Sequence, residues 1–162
     1  MRLVILGATG GTGQQLLKQA LTQGHQVTVL VRRAEAITLT HPQLQVTTGD
    51  VMQADSLASV LPGQDAVLSV VGQRSLGPMT FYRQSARNIT EQMEQVIRSS
   101  GVVWTIVRPS RLIDGKRRGH YRIGLWDELA HADSISRADL AECMLAQVAS
   151  KVHWYQATAV AY

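Results

Sequence analysis

Residues 7–13, with the sequence GATGGTG, have the types and spacing of a turn that binds phosphate groups. They follow the apolar run at residues 3–6 and open a segment whose apolar residues recur at helical spacing. Glycines let the chain bend sharply and bring backbone N–H groups close to a pyrophosphate, and the following helix points its positive N-terminus at the same group. The predicted cofactor-binding residues of this turn are Gly7, Thr9, Gly10, Gly11, Thr12 and Gly13.

The spacing of the turn is Gly-x-x-Gly-x-x-Gly, which differs from the commonest dinucleotide fingerprint, Gly-x-Gly-x-x-Gly. Its position between a buried strand and a helix strengthens the nucleotide interpretation. The structural alternative is a glycine-rich turn that only allows tight packing.

Two arginines, Arg32 and Arg33, end the second predicted strand at residues 27–31, about twenty residues beyond the glycine turn. An acidic residue at this position accepts hydrogen bonds from the adenosine ribose, whereas arginine pairs with a 2′-phosphate. The two arginines therefore favour NADP over NAD. Glu35 keeps NAD open as the cofactor, and ordinary exposed loop charges are the alternative.

The rest of the chain alternates strand and helix patterns, which predicts an α/β fold with one doubly wound, mostly parallel sheet in a single domain at residues 1–162. Further strands are predicted at residues 45–48, 65–71, 102–107 and 153–162, and helices at residues 80–100 and from residue 136. Ligands of such sheets lie outside the carboxyl ends of the strands. Further predicted cofactor-binding residues are therefore Asp50, Val51, Val71, Gly72, Gln73, Arg74 and Pro109. For Asp50, loop capping is an equal alternative.

Composition limits the classes of function. Cys143 is the one cysteine, which excludes an internal disulfide, and the histidines show no metal-ligand spacing, so no metal site is expected. No apolar stretch is long enough to span a membrane and no leader is recognisable, which predicts a cytoplasmic protein. The formal net charge of +4 is small, so nucleic acid is not the expected partner. The basic run at residues 116–122 favours a solvated loop near a phosphate-bearing ligand, with RNA binding as the alternative.

Six segments together resemble one family: GATGGTG, VTVLVRR, GDV, DAVLSVVG, WTIVRPSRLIDG and ISRADLAECML. They are similar to the atypical short-chain dehydrogenases/reductases that bind NAD(P)H, a group that includes NmrA-like proteins and the small flavin and biliverdin reductases. The resemblance runs almost end to end and implies a Rossmann-like fold and a nicotinamide cofactor.

The chain departs from that family in two ways. A strand-helix pair of about thirty residues is missing before the strand that contains Trp104, so a shortened sheet is expected, with the remaining helix crossing directly to that strand. The missing piece carries the active-site serine or threonine in relatives. The chain also lacks a Tyr-x-x-x-Lys pair, which disfavours the carbonyl-reducing mechanism of ordinary short-chain dehydrogenases.

The expected activity is therefore NADPH-dependent reduction of a small conjugated acceptor, such as a flavin, a quinone or a tetrapyrrole, with a proton from solvent. Arg108, Ser110 and Arg111 are candidate substrate-binding residues. Ser110 and Tyr82 are candidate hydrogen-bond donors in catalysis, with packing as the alternative for Tyr82. The competing hypothesis is a non-catalytic NADP(H)-binding sensor. The sequence leaves the oligomeric state open.

Overall fold

The computed structural model describes residues 1–71, 94–95, 98–99, 102–125, 129 and 133–162. Four predicted site residues, Gly72, Gln73, Arg74 and Tyr82, lie outside these described residues. The same is true of most of the helix predicted at residues 80–100.

The first half of the chain forms a parallel sheet with the strand order β3-β2-β1-β4. Its strands are β1 (Arg2–Leu6), β2 (Gln26–Val31), β3 (Leu44–Thr48) and β4 (Ala66–Ser69). Helix α1 (Gly11–Thr22) connects β1 to β2, a 3₁₀ turn (Ala34–Ala36) follows β2, and the short helix α2 (Ala54–Ala58) precedes β4. This order confirms the predicted α/β class with a mostly parallel central sheet.

The side chains of β1 are buried on both faces of the sheet, in agreement with its position between β2 and β4. Leu3, Val4 and Ile5 are completely buried, as expected for a parallel strand with both faces covered. Leu3 and Ile5 belong to the larger core, together with Leu16 and Leu17 of α1, whereas Val4 packs on the opposite side of the sheet. Gly24, with a φ of +79°, follows α1 in the left-handed conformation, which is the usual role of a glycine just beyond a helix end.

From residue 102 onward, the described residues form five short strands and one α-helix. These are β5 (Thr105–Pro109), β6 (Arg111–Ile113), β7 (Arg122–Gly124), β8 (Ser134–Ser136), α3 (Arg137–Ala149) and β9 (Gln156–Ala161). Strand β9 pairs in parallel with β5 and antiparallel with β7, and β6 pairs in parallel with β8. Helix α3 packs against α1, so that Ala141 and Leu145 complete the larger core. The two halves are therefore joined through this helix pair.

The hydrogen-bonded ladder is interrupted between β4 and β5. Among the described strands, β4 pairs with β1 and β5 pairs with β9, but β4 and β5 do not pair with each other. The shortened chain would allow a direct crossover from β4 to β5, but these two strands are not paired in the described part of the chain. An intervening strand is what the missing strand-helix pair would supply in the family that the chain resembles.

Two local expectations need correction. Aspartate is a favoured N-cap residue, so the sequence predicts that Asp55 caps α2, but Gln53 occupies the N-cap and Asp55 lies in the first helical turn. The strand expected from residue 102 begins at Thr105, because Val102 and Val103 are exposed and precede the ladder with β9. Both errors concern element ends, where local preferences are weakest.

Candidate cofactor-binding site

Two glycines of the turn between β1 and α1 lie where any side chain would clash with neighbouring backbone. Gly7 has a φ of +87°, and a Cβ there would lie 2.9 Å from the backbone carbonyl carbon of Val70. A Cβ at Gly13 would overlap the carbonyl oxygen of Gly7. The Gly10 N–H donates to that same oxygen at 3.0 Å, which closes the turn. The turn is therefore a cradle of backbone, with Thr9 and Gly11 exposed and Thr12 half-buried.

The turn adjoins the carboxyl end of β4. The Cβ position of Gly7 lies 3.0 Å from the backbone nitrogen of Val71, whose side chain is 45% exposed. The structure thus brings Val71 beside the turn, as the parallel register of β1 and β4 requires. A nucleotide bound at the N-terminus of α1 would contact this edge of the sheet.

Arg32 and Arg33 lie directly after β2, the neighbour of β1, at the same edge of the sheet. Both side chains are exposed, and within the described part of the chain neither forms an ion pair. Glu35 is also exposed, in the turn that follows. The two exposed guanidinium groups at this edge are suited to bind a phosphate ester, because each guanidinium can donate two parallel hydrogen bonds to a phosphate.

Asp50 has a local structural role. Its Oδ1 accepts a hydrogen bond from the Met52 backbone N–H at 2.9 Å, and its own N–H donates to the Ser56 hydroxyl at 3.2 Å. Val51 packs against the smaller core under the sheet. The geometry matches the loop-capping alternative for Asp50.

Arg108, a candidate substrate residue, is held in an ion pair. Its Nε and Nη2 donate to the two carboxylate oxygens of Glu94 at 3.1 and 2.6 Å. These hydrogen bonds outweigh burial and hold the pKa of Glu94 below its ordinary value, with a further contribution from Arg98. Because this bidentate pair occupies donor groups of the Arg108 guanidinium, the side chain is less suited to bind an anionic substrate.

Ser110 presents the clearest unsatisfied polar atom beside this strand end. Its backbone N–H donates to the Val160 carbonyl at 3.1 Å, but its hydroxyl oxygen is buried and has no hydrogen-bond partner among the residues that the structure describes. Pro109 is half-buried and faces Val160 across the β5–β9 ladder, while Arg111 is exposed. A buried hydroxyl without a partner is costly, so a ligand that accepts its hydrogen bond would be favoured here.

Sequence reasoning missed one residue at the glycine turn. Arg137, the first residue of α3, extends its side chain over Gly11, and its Cδ lies 2.8 Å from the position of a Gly11 Cβ. Its Nη1 pairs with Asp114 at 2.7 Å. The signal is present in the ISRAD segment, where Ser136 and Asp139 have the spacing of a capping box and the arginine between them suggests no role of its own.

The basic run at residues 116–122 is anchored to the protein. Asp139 accepts hydrogen bonds from the backbone N–H groups of Arg118 and Gly119, at 3.0 and 2.8 Å for the closer contacts. The Arg118 guanidinium stacks on the Tyr162 ring at 4.0 Å from its centroid, and Arg122 donates to the Tyr162 carbonyl at 2.7 Å. Most of the cations in this loop therefore have partners within the chain.

Other kinds of site are not found in the described ranges. They contain no cluster of three or more residues that could hold a metal ion, and no helix that is long and apolar enough to cross a membrane. Cys143 is fully buried, and burial raises the pKa of its thiol to about 11. A thiol in this state is not a nucleophile near neutral pH.

Comparison with known sequences and solved structures finds proteins similar to this chain in sequence and in fold. The Bacillus subtilis protein YwnB is 26% identical over 201 aligned positions, which cover 94% of this chain and 94% of YwnB. Among solved structures, the oxidoreductase ylbE from Lactococcus lactis has a TM-score of 0.85 at 17% identity, covering 99% of this chain and 90% of ylbE. ChuY, an anaerobillin reductase from Escherichia coli O157:H7, has a TM-score of 0.81 at 22% identity, covering 99% of this chain and 97% of ChuY.

The lengths agree with a shortened chain. The 201 aligned positions exceed the 162 residues of this chain by 39, so YwnB has at least 39 residues without a counterpart here. The family model described as NAD(P)H-binding matches residues 7–96 and 84–151, two overlapping segments that together include the glycine turn, Arg32, Arg33 and α3. The chain therefore belongs to this NAD(P)H-binding family, whose Rossmann-like fold it shares.

Proposed function

We propose that this protein is an NADPH-dependent reductase of a small conjugated acceptor, built as a single cytoplasmic domain. The observation that carries the proposal is the backbone cradle at Gly7, Gly10 and Gly13, together with the two exposed arginines at the adjacent strand end. The cradle fits a pyrophosphate because no Cβ stands between its N–H groups and solvent. Arg32 and Arg33 fit the 2′-phosphate that distinguishes NADPH from NADH.

The acceptor follows from the acid-base groups of the chain. Bound NADPH supplies a hydride, and a carbonyl acceptor would also need a protein acid, which the absent Tyr-x-x-x-Lys pair would supply. A flavin, quinone or tetrapyrrole spreads the added charge over its conjugated system, so that solvent can deliver the proton. The reductase activity of the structural neighbour ChuY supports this class of chemistry.

Ser110, which directly follows β5, is well suited to contact the acceptor or the nicotinamide, since its buried hydroxyl has no partner among the described residues. Arg111 is exposed and suited to attract an anionic acceptor. Arg108 acts mainly through its pair with Glu94. The role of Tyr82 in catalysis stays a prediction from the sequence. The protein would position the two reactants and exclude water, which is the main contribution a protein makes to cofactor chemistry.

A non-catalytic NADP(H) sensor is the second candidate. It is favoured by the missing strand-helix pair and by the interrupted ladder between β4 and β5. A sensor would keep the glycine turn and both arginines but would show no turnover.

One titration separates these functions. NADPH and NADH are added in parallel while nicotinamide fluorescence is followed, and flavin, quinone and biliverdin are then offered while absorbance at 340 nm is recorded. Tight NADPH binding with turnover of at least one acceptor supports the reductase. Binding without turnover supports the sensor, and no binding of either nucleotide contradicts both.

Replacement of Arg32 and Arg33 by serine tests the choice of cofactor. Each charged hydrogen bond to a phosphate contributes about 1.5–3 kcal/mol, so we expect the Kd for NADPH to rise by roughly tenfold or more while the Kd for NADH changes little. The control variant Arg2→Gln/Lys18→Gln removes the same charge elsewhere. Equal changes for both nucleotides would mean that Arg32 and Arg33 are ordinary loop charges.

A further inference from the structure

Arg137 fills the space that Gly11 leaves open at the start of α1. Its Cδ and Nε lie 2.8 and 3.0 Å from the position of a Gly11 Cβ, and its Cζ lies 3.9 Å from it. The side chain therefore crosses from the first residue of α3 to the first residue of α1. A cation is thus fixed against the turn by packing of its own stem.

The electrostatic setting of this guanidinium is unfavourable without an anion. Gly11 begins α1 and Arg137 begins α3, so the positive ends of two helices meet here. The first turn of α1 contains no acidic residue, and the one in the first turn of α3, Asp139, already accepts hydrogen bonds from Arg118, Gly119, Ser136 and Tyr162. The ion pair with Asp114, at 2.7 Å, offsets part of this charge. The side chain of Asp114 is 91% exposed, and ion pairs of such exposed groups are weak.

We infer that Arg137 binds the pyrophosphate of the nucleotide, and that Asp114 holds the guanidinium only until the nucleotide displaces it. The inference rests on the proposed function, because it places the ligand in the glycine turn. A pyrophosphate carries more charge than one carboxylate and offers oxygens for a bidentate contact, so it outcompetes Asp114 for the guanidinium. Asp114 thus acts as a carboxylate placeholder for a phosphate.

The two partners of this ion pair should then affect affinity in opposite directions. Arg137→Met keeps a long apolar stem over Gly11 but loses the charge, so nucleotide binding weakens. Asp114→Asn removes the competitor, so binding tightens, but only while Arg137 is present. An ion pair that merely stabilised the fold would give changes of the same sign.

The test measures the Kd for NADPH by fluorescence and the inhibition constants of ADP and 2′-AMP as competitors. We expect Arg137→Met to weaken NADPH and ADP by tenfold or more and to leave 2′-AMP, which lacks a pyrophosphate, within twofold. Arg137→Lys should recover part of the loss. Asp114→Asn should tighten NADPH by twofold to fivefold and should have no effect in the Arg137→Met background.

Controls keep the outcomes distinct. Thermal unfolding shows whether each variant is folded, and Arg2→Gln, at the opposite ends of the strands, should leave every constant within twofold of wild type. If wild-type protein binds NADPH but Arg137→Met binds it equally well, the assignment of Arg137 is overturned while the proposed function stands. If Asp114→Asn tightens binding in both backgrounds, Asp114 acts by simple repulsion and the placeholder role is wrong. Wild-type protein that binds no nucleotide would overturn the proposed function itself.

Discussion

Replacement of Gly13 by alanine is expected to abolish NADPH binding and to lower the free energy of unfolding by roughly 3 kcal/mol or more. The added Cβ would overlap the carbonyl oxygen of Gly7 and lie 2.8 Å from the Cα of Ala8, and both are backbone atoms that cannot move aside alone. The turn would have to open, which would carry α1 away from β1. Urea unfolding and fluorescence titration measure the two effects.

Gly10→Ala is the matched control for this result. Gly10 has ordinary extended backbone, with a φ of −78°, and its Cβ would lie 3.4 Å from the Gly7 oxygen. We expect the unfolding free energy to stay within about 1 kcal/mol of wild type, since this contact needs only a small adjustment. The methyl group would nevertheless stand at the mouth of the cradle and weaken NADPH binding. Equal stability losses in both variants would contradict this division between packing and binding.

The part of the site that could be predicted from sequence is the part that depends on neighbours along the chain. The glycine turn requires a buried strand before it and a helix after it, and residues 3–21 display both patterns. Arg32 and Arg33 follow from the same logic, because the end of β2 lies beside the end of β1. Parallel register then fixes which residues share an edge.

The contribution of Arg137 depends on contacts between residues far apart in sequence. Arg137 reaches Gly11 because α3 packs against α1 at one particular offset. No local periodicity in the sequence specifies that offset. The pairing of Arg108 with Glu94 is of the same kind. Likewise, the lack of pairing between β4 and β5 in the described strands is a long-range property that no local pattern specifies.

Asp139 shows how such a distant contact can organise several elements. Its carboxylate is fully buried and accepts from the Tyr162 hydroxyl at 2.5 Å and the Ser136 hydroxyl at 2.8 Å, in addition to the two backbone N–H groups of the basic loop. The Ser136 hydroxyl in turn accepts from the Asp139 N–H and caps α3. The reciprocal contact of a capping box is absent, because the Ser136 N–H donates to Tyr162 instead.

Asp139→Ala is expected to lower the free energy of unfolding by about 3 kcal/mol or more, because it leaves several buried donors without an acceptor. Tyr162→Phe removes one donor to Asp139 and the acceptor of the Ser136 N–H, and should cost about 1–3 kcal/mol. Urea unfolding at pH 7 measures both. A loss below about 1 kcal/mol for Asp139→Ala would mean that water replaces the carboxylate and that the basic loop is not anchored through it.

The same carboxylate predicts a pH dependence of stability. Burial raises the pKa of Asp139, but the four hydrogen bonds outweigh burial, so the pKa lies below its ordinary value. A carboxyl whose pKa is lower in the folded state stabilises the protein above the unfolded pKa of about 3.9, and this contribution is lost as the pH falls towards the folded value. Wild-type stability should therefore decline below about pH 5. Asp139→Asn should show a shallower decline. Some decline remains, because the pKa values of Asp65 and Glu94 are also lowered and these carboxylates still contribute to the pH dependence. Identical slopes for wild type and Asp139→Asn between pH 5 and pH 3 would contradict this role, because the linkage between proton binding and folding leaves no other way for a lowered pKa to act.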